Sequence, residues 1–163
     1  MQQRIIIFGN SGSGKSTLAK EYASQYGLAH LDLDTLAWQE TTPPTRRPLK
    51  DSAQDIEQFL DKNQKWVIEG CYSDLLGLVM KEANEAVFLN LDVEACILNC
   101  SNRPWEPHKY ASLKEQNENL NFLLEWIKQY PVRDDEFSLT SHQKLFDAFI
   151  GKKTVFRSNQ RGT

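Results

Sequence analysis

The sequence predicts an α/β fold, a three-layer doubly wound parallel sheet of five strands. Three observations predict it. Residues 4–8 and 86–91 carry continuous apolar runs, Ile5-Ile6-Ile7-Phe8 and Val87-Phe88-Leu89, of the kind found in strands covered on both faces. Segments with helical spacing alternate with such runs in the order βαβαβαβ, which places a ligand site at the carboxyl ends of the strands. The 163 residues, 40% hydrophobic and 25% charged, suit one domain spanning 1–163 that needs no disulfide or structural metal.

The first strand, 4–8, ends at Gly9. From Lys15, the apolar positions Leu18, Ala19, Tyr22, Ala23 and Tyr26 recur at helical spacing, and Gly27 suits a left-handed helix end. Residues 30–33 form a second strand ending in Asp32 and Asp34. An irregular stretch with Pro43, Pro44 and Pro48 follows, then a helix capped by Asp51 or Ser52 that buries Ala53, Ile56, Phe59 and Leu60. Trp66-Val67-Ile68 is the third strand, closed by Glu69-Gly70. A helix over 74–83 leads to the fourth strand, 86–91, and another helix starts near Val93. Residues 103–111 are interrupted by proline. The capping box Ser112-Leu113-Lys114-Glu115 opens a long helix that stops at Pro131. A helix over 141–150 and a fifth strand, 154–156, complete the chain.

The net charge of −3 argues against a protein that coats nucleic acid or an anionic membrane, so neither is expected as a partner. No apolar run approaches the ~18 residues of a membrane-spanning helix. Cys71, Cys96 and Cys100 are odd in number and form no CxxC pair, which fits a reducing, cytoplasmic setting. Cys96 and Cys100 lie one turn apart on an apolar helix. With His108 they still lack a fourth zinc ligand, so they read as core residues.

Gly9-Asn10-Ser11-Gly12-Ser13-Gly14-Lys15-Ser16 matches G-x-x-x-x-G-K-[ST] at every fixed position, and Thr17 follows. Glycines let such a loop turn its backbone N–H groups inward as an anion nest, and the helix that follows adds its unpaired N–H groups. Lys15 is then expected to bridge the β- and γ-phosphates of ATP, and the Ser16 hydroxyl to ligate Mg²⁺. The glycine spacing does not fit the dinucleotide pattern G-x-G-x-x-G. Asp74-Leu75-Leu76-Gly77 matches the D-x-x-G of GTPases but falls within a helix, and no N-K-x-D is present.

Asp32 and Asp34, two residues apart, are expected on one face at the end of the second strand. There they could hold Mg²⁺ through water or accept an acceptor's proton, with Asp34 first choice for acceptor contact or base. The alternative is that one of them caps the next helix. Trp66-Val67-Ile68-Glu69 has the form of a Walker B strand, so Glu69 joins Ser16 and Asp32 as a candidate Mg²⁺ residue.

Together, residues 9–17, the segment from His30-Leu31-Asp32 to Trp38, Trp66-Val67-Ile68-Glu69-Gly70-Cys71-Tyr72 and Arg103-Pro104-Trp105 resemble the small P-loop kinases of the adenylate-kinase-like or DNA-topology-modulation-protein-like group. The resemblance covers most of the chain. It implies a nucleoside-monophosphate-kinase-like sheet of order 2-3-1-4-5, a mobile acceptor-binding segment at about 35–64 and a short lid at about 103–112. It also implies lid-side arginines that close over the transferred phosphoryl group, in regions matched here by Arg103 and Arg133. Trp38 and Tyr72 then become acceptor-pocket residues and Trp105 a lid aromatic, while Trp126 reads as core. His108, Lys109 and Tyr110 add lid contacts. Adenylate kinases continue the third strand as D-G-[FY]-P-R, with an arginine that grips the acceptor nucleotide. This chain has Cys71-Tyr72-Ser73 instead, leaving Arg46 and Arg47 as the sources of positive charge. Shikimate kinases share an Asp-x-Asp but carry a triple glycine where Glu69-Gly70-Cys71 stands. Lys152, Lys153, Arg157 and Arg161 lie in a terminal segment with no acid, which reads either as an adenine-contacting loop around Ser158-Asn159 or as a basic tail.

The expectation is an ATP- and Mg²⁺-dependent phosphotransferase acting on a small acceptor. The alternative is a nucleotide-dependent regulatory ATPase that binds DNA or a protein partner.

Overall fold

A computed structural model of the protein describes residues 2–41 and 44–160, so Pro43 and Arg161 lie outside the described residues. The strands are β1 (Arg4–Gly9), β2 (Ala29–Asp32), β3 (Trp66–Gly70), β4 (Glu85–Leu89) and β5 (Lys152–Phe156). All pair in parallel in one sheet of order β2-β3-β1-β4-β5, the order the resemblance implies. The helices are α1 (Lys15–Tyr26), α2 (Asp34–Ala37), α3 (Leu49–Lys62), α4 (Ser73–Val79), α5 (Val93–Ser101), α6 (Leu113–Lys128) and α7 (Leu139–Ala148), and a 3-10 turn over Met80–Glu82 extends α4.

The unbroken apolar runs are explained by the layers. Ile6, Phe8, Ile68, Ala86 and Phe88 project to one face and meet Ile56 of α3, Leu75 and Leu76 of α4 and Leu145 of α7. Ile5, Ile7, Val67, Val87 and Leu89 project to the other and meet Leu18 and Ala19 of α1, Cys96 and Cys100 of α5 and Ile127 of α6. Both sides of β1 are thus sealed, as the alternating side chains of Ile5 to Phe8, none of them polar, require.

Gly27 ends α1 in the left-handed conformation, with its N–H donated to the Ala23 carbonyl. Ser112 caps α6 by accepting from the Glu115 N–H, while Glu115 accepts from the Ala111 N–H. Two expectations shift. Neither Asp51 nor Ser52 caps α3, because Pro48 supplies a fixed φ of −52° ahead of a helix that already starts at Leu49. Ser52 is fully buried and donates instead to the Leu36 carbonyl, tying α3 to α2. Similarly, α7 begins at Leu139 with Ser138 as its cap.

His142 of α7 is buried and clamps the sheet's working edge. A carbonyl only accepts, so His142 Nε2–H donates to Cys71 O, just past β3, and Nδ1 accepts from the Tyr130 hydroxyl. Burial lowers the His142 pKa from 6.5 to about 4, while the hydrogen bond to Cys71 works against that shift. In the window between those values the unfolded chain binds the extra proton, so the neutral imidazole's contribution is full above pH 6.5 and lost as pH falls toward 4. Urea unfolding of the native protein from about pH 7 to about pH 4 should therefore lose roughly 3 kcal/mol more than His142→Gln does. Parallel pH profiles for the two proteins would refute the assignment.

Candidate functional site

The crevice at the carboxyl ends of β1, β2 and β3 gathers most of the predicted residues. The loop after β1 turns on Gly12 and Gly14, whose φ values of +79° and +91° lie in the left-handed region. A Cβ on Gly12 would lie 2.4 Å from the Cys96 carbonyl oxygen, so α5 packs directly on the loop backbone. Three amides brace the loop, one from within it and two from outside. Asn10 Nδ2 donates to Ile127 O at 3.2 Å, Asn99 Nδ2 to Gly12 O at 2.9 Å, and Asn159 Nδ2 to Ser13 O at 3.0 Å. Asn99 also donates to Asn159 Oδ1 at 2.6 Å. Ser13 Oγ is buried without a hydrogen-bond partner among the described residues, Ser11 is half-buried and Thr17 is exposed.

Lys15 Nζ donates to Asn10 O at 2.8 Å, which folds the ammonium back over its own loop. Ser16 Oγ donates to Glu69 Oε2 at 2.7 Å, and the same oxygen accepts from His30 Nε2 at 3.0 Å. Glu69 is only 2% exposed, so these two donors are what keep its carboxylate from being stranded. Asp32 lies opposite Glu69 in the β2–β3 register. Its pKa is raised to about 6, by burial first and then by the Glu69 and Asp34 carboxylates. Ser16, Asp32 and Glu69 are therefore neighbours. Among the described residues, no three His, Cys, Asp or Glu side chains are arranged to enclose a metal by themselves. A hydroxyl with two carboxylates instead suits an ion that retains waters and takes other ligands from phosphate.

The Asp32–Asp34 pair is arranged differently from the strand argument. β2 ends at Asp32, and Asp34 opens the single turn of α2, so period-two geometry does not relate them. Asp34 instead donates its backbone N–H to Asp32 Oδ1 at 2.9 Å, closing an Asx turn that re-aims its side chain. The Asp34 carboxylate accepts from the Tyr72 hydroxyl and pairs with Lys109 Nζ at 3.1 Å, while Tyr72 accepts from Trp38 Nε1 at 2.8 Å. Burial pushes the Asp34 pKa up, but Lys109, the Tyr72 hydrogen bond and Lys15 outweigh it and hold the group below the ordinary carboxylate range. Lys109 is raised in turn: burial lowers its pKa, and Asp34 with Glu106 more than reverses that.

The four arginines expected at the site, Arg46, Arg47, Arg103 and Arg133, each pair with a carboxylate of the chain. Arg46 reaches Asp74 at 3.0 Å and Glu136 at 3.1 Å, its guanidinium 4.9 Å from the Tyr72 ring centre, and its buried Nε has no hydrogen-bond partner among the described residues. Arg47 donates to Leu36 O and pairs with Asp55 at 2.6 Å, bracing α2 against α3. Arg103 pairs with Glu106 inside the lid stretch, and Arg133 makes a two-pronged contact with Asp135 while stacking 3.5 Å from the Trp126 ring centre. Trp126 is half-buried, packed against the core through Phe137 while its ring also meets the Arg133 guanidinium. Trp105 is exposed and donates to Tyr110 O within the 103–112 segment.

Sequence reasoning missed what distance in the chain conceals. Lys109 reads only as a lid contact, and nothing local marks its pairing with Asp34. Asp74 and Glu136, the partners of Arg46, carry no motif, and Asn99 lies on an ordinary helix. The one available signal was Asn159, placed in a segment already singled out.

The fold is similar to that of a sugar kinase from Janibacter sp. HTCC2649, at 14% identity over 96% of this chain and 86% of that one, with a TM-score of 0.53. It is also similar to an uncharacterized protein from Eubacterium ventriosum ATCC 27560, at 17% identity over 95% and 88% of the two chains, with a TM-score of 0.50. At such identities the likeness is one of fold. No protein-family model matches the chain, and no curated protein does.

Two glycines give a paired test of the loop. Gly12→Ala must relieve both a positive φ and the 2.4 Å approach to Cys96 O, and should cost about 2 kcal/mol in urea unfolding. Gly77, in α4 with open space around it, should give about 0.5 kcal/mol of added stability as Gly77→Ala. Equal effects at the two positions would contradict the packing of α5 on the loop.

Proposed function

We propose that this chain is an ATP- and Mg²⁺-dependent phosphotransferase that moves the γ-phosphoryl group of ATP to a small acceptor, and that it is a P-loop kinase of the adenylate-kinase-like group. The observation that carries the reading is the convergence of two different chemistries on one crevice. A phosphate-binding loop with Lys15 lies at the end of β1, and beside it stands the Asp34 carboxylate, oriented by Tyr72 and Lys109. The Lys15 charge is felt at Asp34. The sheet order and the sugar kinase among the structures of similar fold support the same reading.

In this reading Gly9 to Thr17 cradle the triphosphate, and Lys15 exchanges the Asn10 carbonyl for phosphate oxygens. Residues Ser16, Asp32 and Glu69 are the set that would hold Mg²⁺, directly or through water, and the Ser16–Glu69 contact already brings hydroxyl and carboxylate to one point. Bound there, the ion would supply positive charge to offset that of the phosphates. Asp34 receives the acceptor hydroxyl's hydrogen bond and aims its oxygen at the γ-phosphorus. As the new O–P bond forms, the bond from that phosphorus to the β,γ-bridging oxygen breaks, ADP leaves and the hydroxyl proton is released. A carboxylate held below its ordinary pKa is a weak base, so Asp34 acts mainly by orientation, which a loose phosphoryl-transfer transition state permits. Arg103 and Arg133 serve the transferred group only on closure, when each exchanges its carboxylate partner, Glu106 or Asp135, for phosphate.

The basic terminal segment gives little support to a DNA-binding ATPase. Lys152 faces Glu85 at 3.7 Å and Lys153 donates to Phe146 O, so both belong to β5 and its surroundings. The decisive measurement is ADP release across an acceptor panel. A responsive acceptor should raise turnover well above the rate in water. Lys15→Ala should weaken ATP binding roughly ten- to a hundredfold, the value of one charge-assisted contact. Turnover indifferent to every acceptor, with a salt-sensitive shift of duplex DNA in ATP, would overturn the transferase reading.

A further inference from the structure

We infer that the acceptor is an uncharged ring polyol, carrying neither phosphate nor carboxylate. The inference rests on the phosphotransferase reading and adds the chemical class of its second substrate.

Its basis is the charge inventory of the acceptor side. Arg46 is shared between Asp74 and Glu136, so one guanidinium faces two carboxylates. Lys109 lies between Asp34 at 3.1 Å and Glu106 at 3.6 Å. Arg133 holds Asp135 through both Nε and a terminal nitrogen. Acids therefore outnumber the cations around this crevice, and each of those cations is already satisfied by the chain. An anionic acceptor would enter a field of its own sign and would have to displace a carboxylate from a half-buried arginine to gain any partner. Specific recognition of phosphate or carboxylate uses an arginine fork presented free to the ligand, which is not how Arg46, fixed between two carboxylates, is held here.

What the crevice does offer suits hydroxyls on a ring. Trp38, 38% exposed, gives one apolar wall for the C–H surface of a flat or chair-shaped ring, and it stands edge-on to Tyr72, which is itself buried against Phe137. At the end of that wall sits Asp34, an ionised acceptor of hydrogen bonds whose orientation is fixed by Tyr72 and the Asp32 turn. Apolar walls with one precisely held polar group are the usual makeup of a site for a small uncharged molecule. Arg46, buried against the rings and neutralised from behind, completes the wall as a planar surface rather than as an anion receptor.

The test is ligand-observed saturation-transfer NMR on the full chain, with the nucleotide site filled by a non-hydrolysable ATP analogue and Mg²⁺. The probes are pentoses, hexoses, inositols and nucleosides on one side, and AMP, sugar phosphates and shikimate on the other. At least one uncharged probe should bind, its affinity falling about tenfold in Trp38→Ala, with no anionic probe binding more tightly. The double variant Asp74→Asn/Glu136→Gln releases Arg46, and should gain about tenfold or more in affinity for AMP, a gain that added salt erases. Tighter binding of an anionic probe by the native chain, no binding by any uncharged probe, or no gain in the double variant would each overturn the inference. ATP binding lost in Lys15→Ala is scored separately on the same samples. If it persists while the uncharged probes fail, the acceptor class falls and the nucleotide reading stands.

Discussion

The hydrogen bond from Ser16 Oγ to Glu69 Oε2 is the contact on which the rest of the site depends. It joins the first turn of α1 to the end of β3, and so fixes the glycine loop against the strand that leads into Tyr72. Glu69 is 2% exposed, and its carboxylate survives there because Ser16 and His30 donate to a single oxygen. Removing either donor would leave a buried charge underpaired, which costs far more than the bond itself contributes in a folded protein. Stability and the candidate function therefore lean on the same few atoms.

From that point the constraints run outward through the chain's layers. The central position of β1 brings its loop between β3, which carries Glu69, and β4, which leads into α5. α5 then packs so closely that Gly12 cannot carry a side chain, and Asn99 with Asn159 fastens the outer rim. On the opposite side, His142 holds the Cys71 carbonyl and thereby the turn from which Tyr72 reaches Asp34. A buried neutral histidine suits this task, since its two nitrogens donate and accept in fixed directions and it stays uncharged.

The layers and the glycine loop after β1 were legible because both are local. A run such as Ile5 to Phe8 states its own burial, and the spacing of Gly9, Gly14, Lys15 and Ser16 states its own backbone geometry. The long helix was legible for the same reason, through a capping box whose two members are three residues apart. The acceptor side was not, because its chemistry is assembled from remote positions. Arg46 reads as free positive charge until Asp74 and Glu136 are brought to it by the folding of α4 and the turn before α7. Asp34 reads as a strand residue until the Asx turn with Asp32 ends β2 early. In each case the misleading signal was a residue type whose meaning depends on its partner, and no short window of sequence contains the partner.

That contrast bears on how such a site changes its substrate. The phosphate loop is braced by Asn10, Asn99 and Asn159 acting on backbone carbonyls, so its geometry is independent of what lies across the crevice. The acceptor wall is set by ion pairs between side chains, and a single carboxylate-to-amide change at Asp74 or Glu136 alters the charge that Arg46 shows to a ligand. A scaffold built this way keeps one half fixed while the other half is retuned by substitutions that leave the core untouched. In the proposed reading, the charge balance around Arg46, rather than the presence of Arg46, determines whether the acceptor side receives a hydroxyl or an anion.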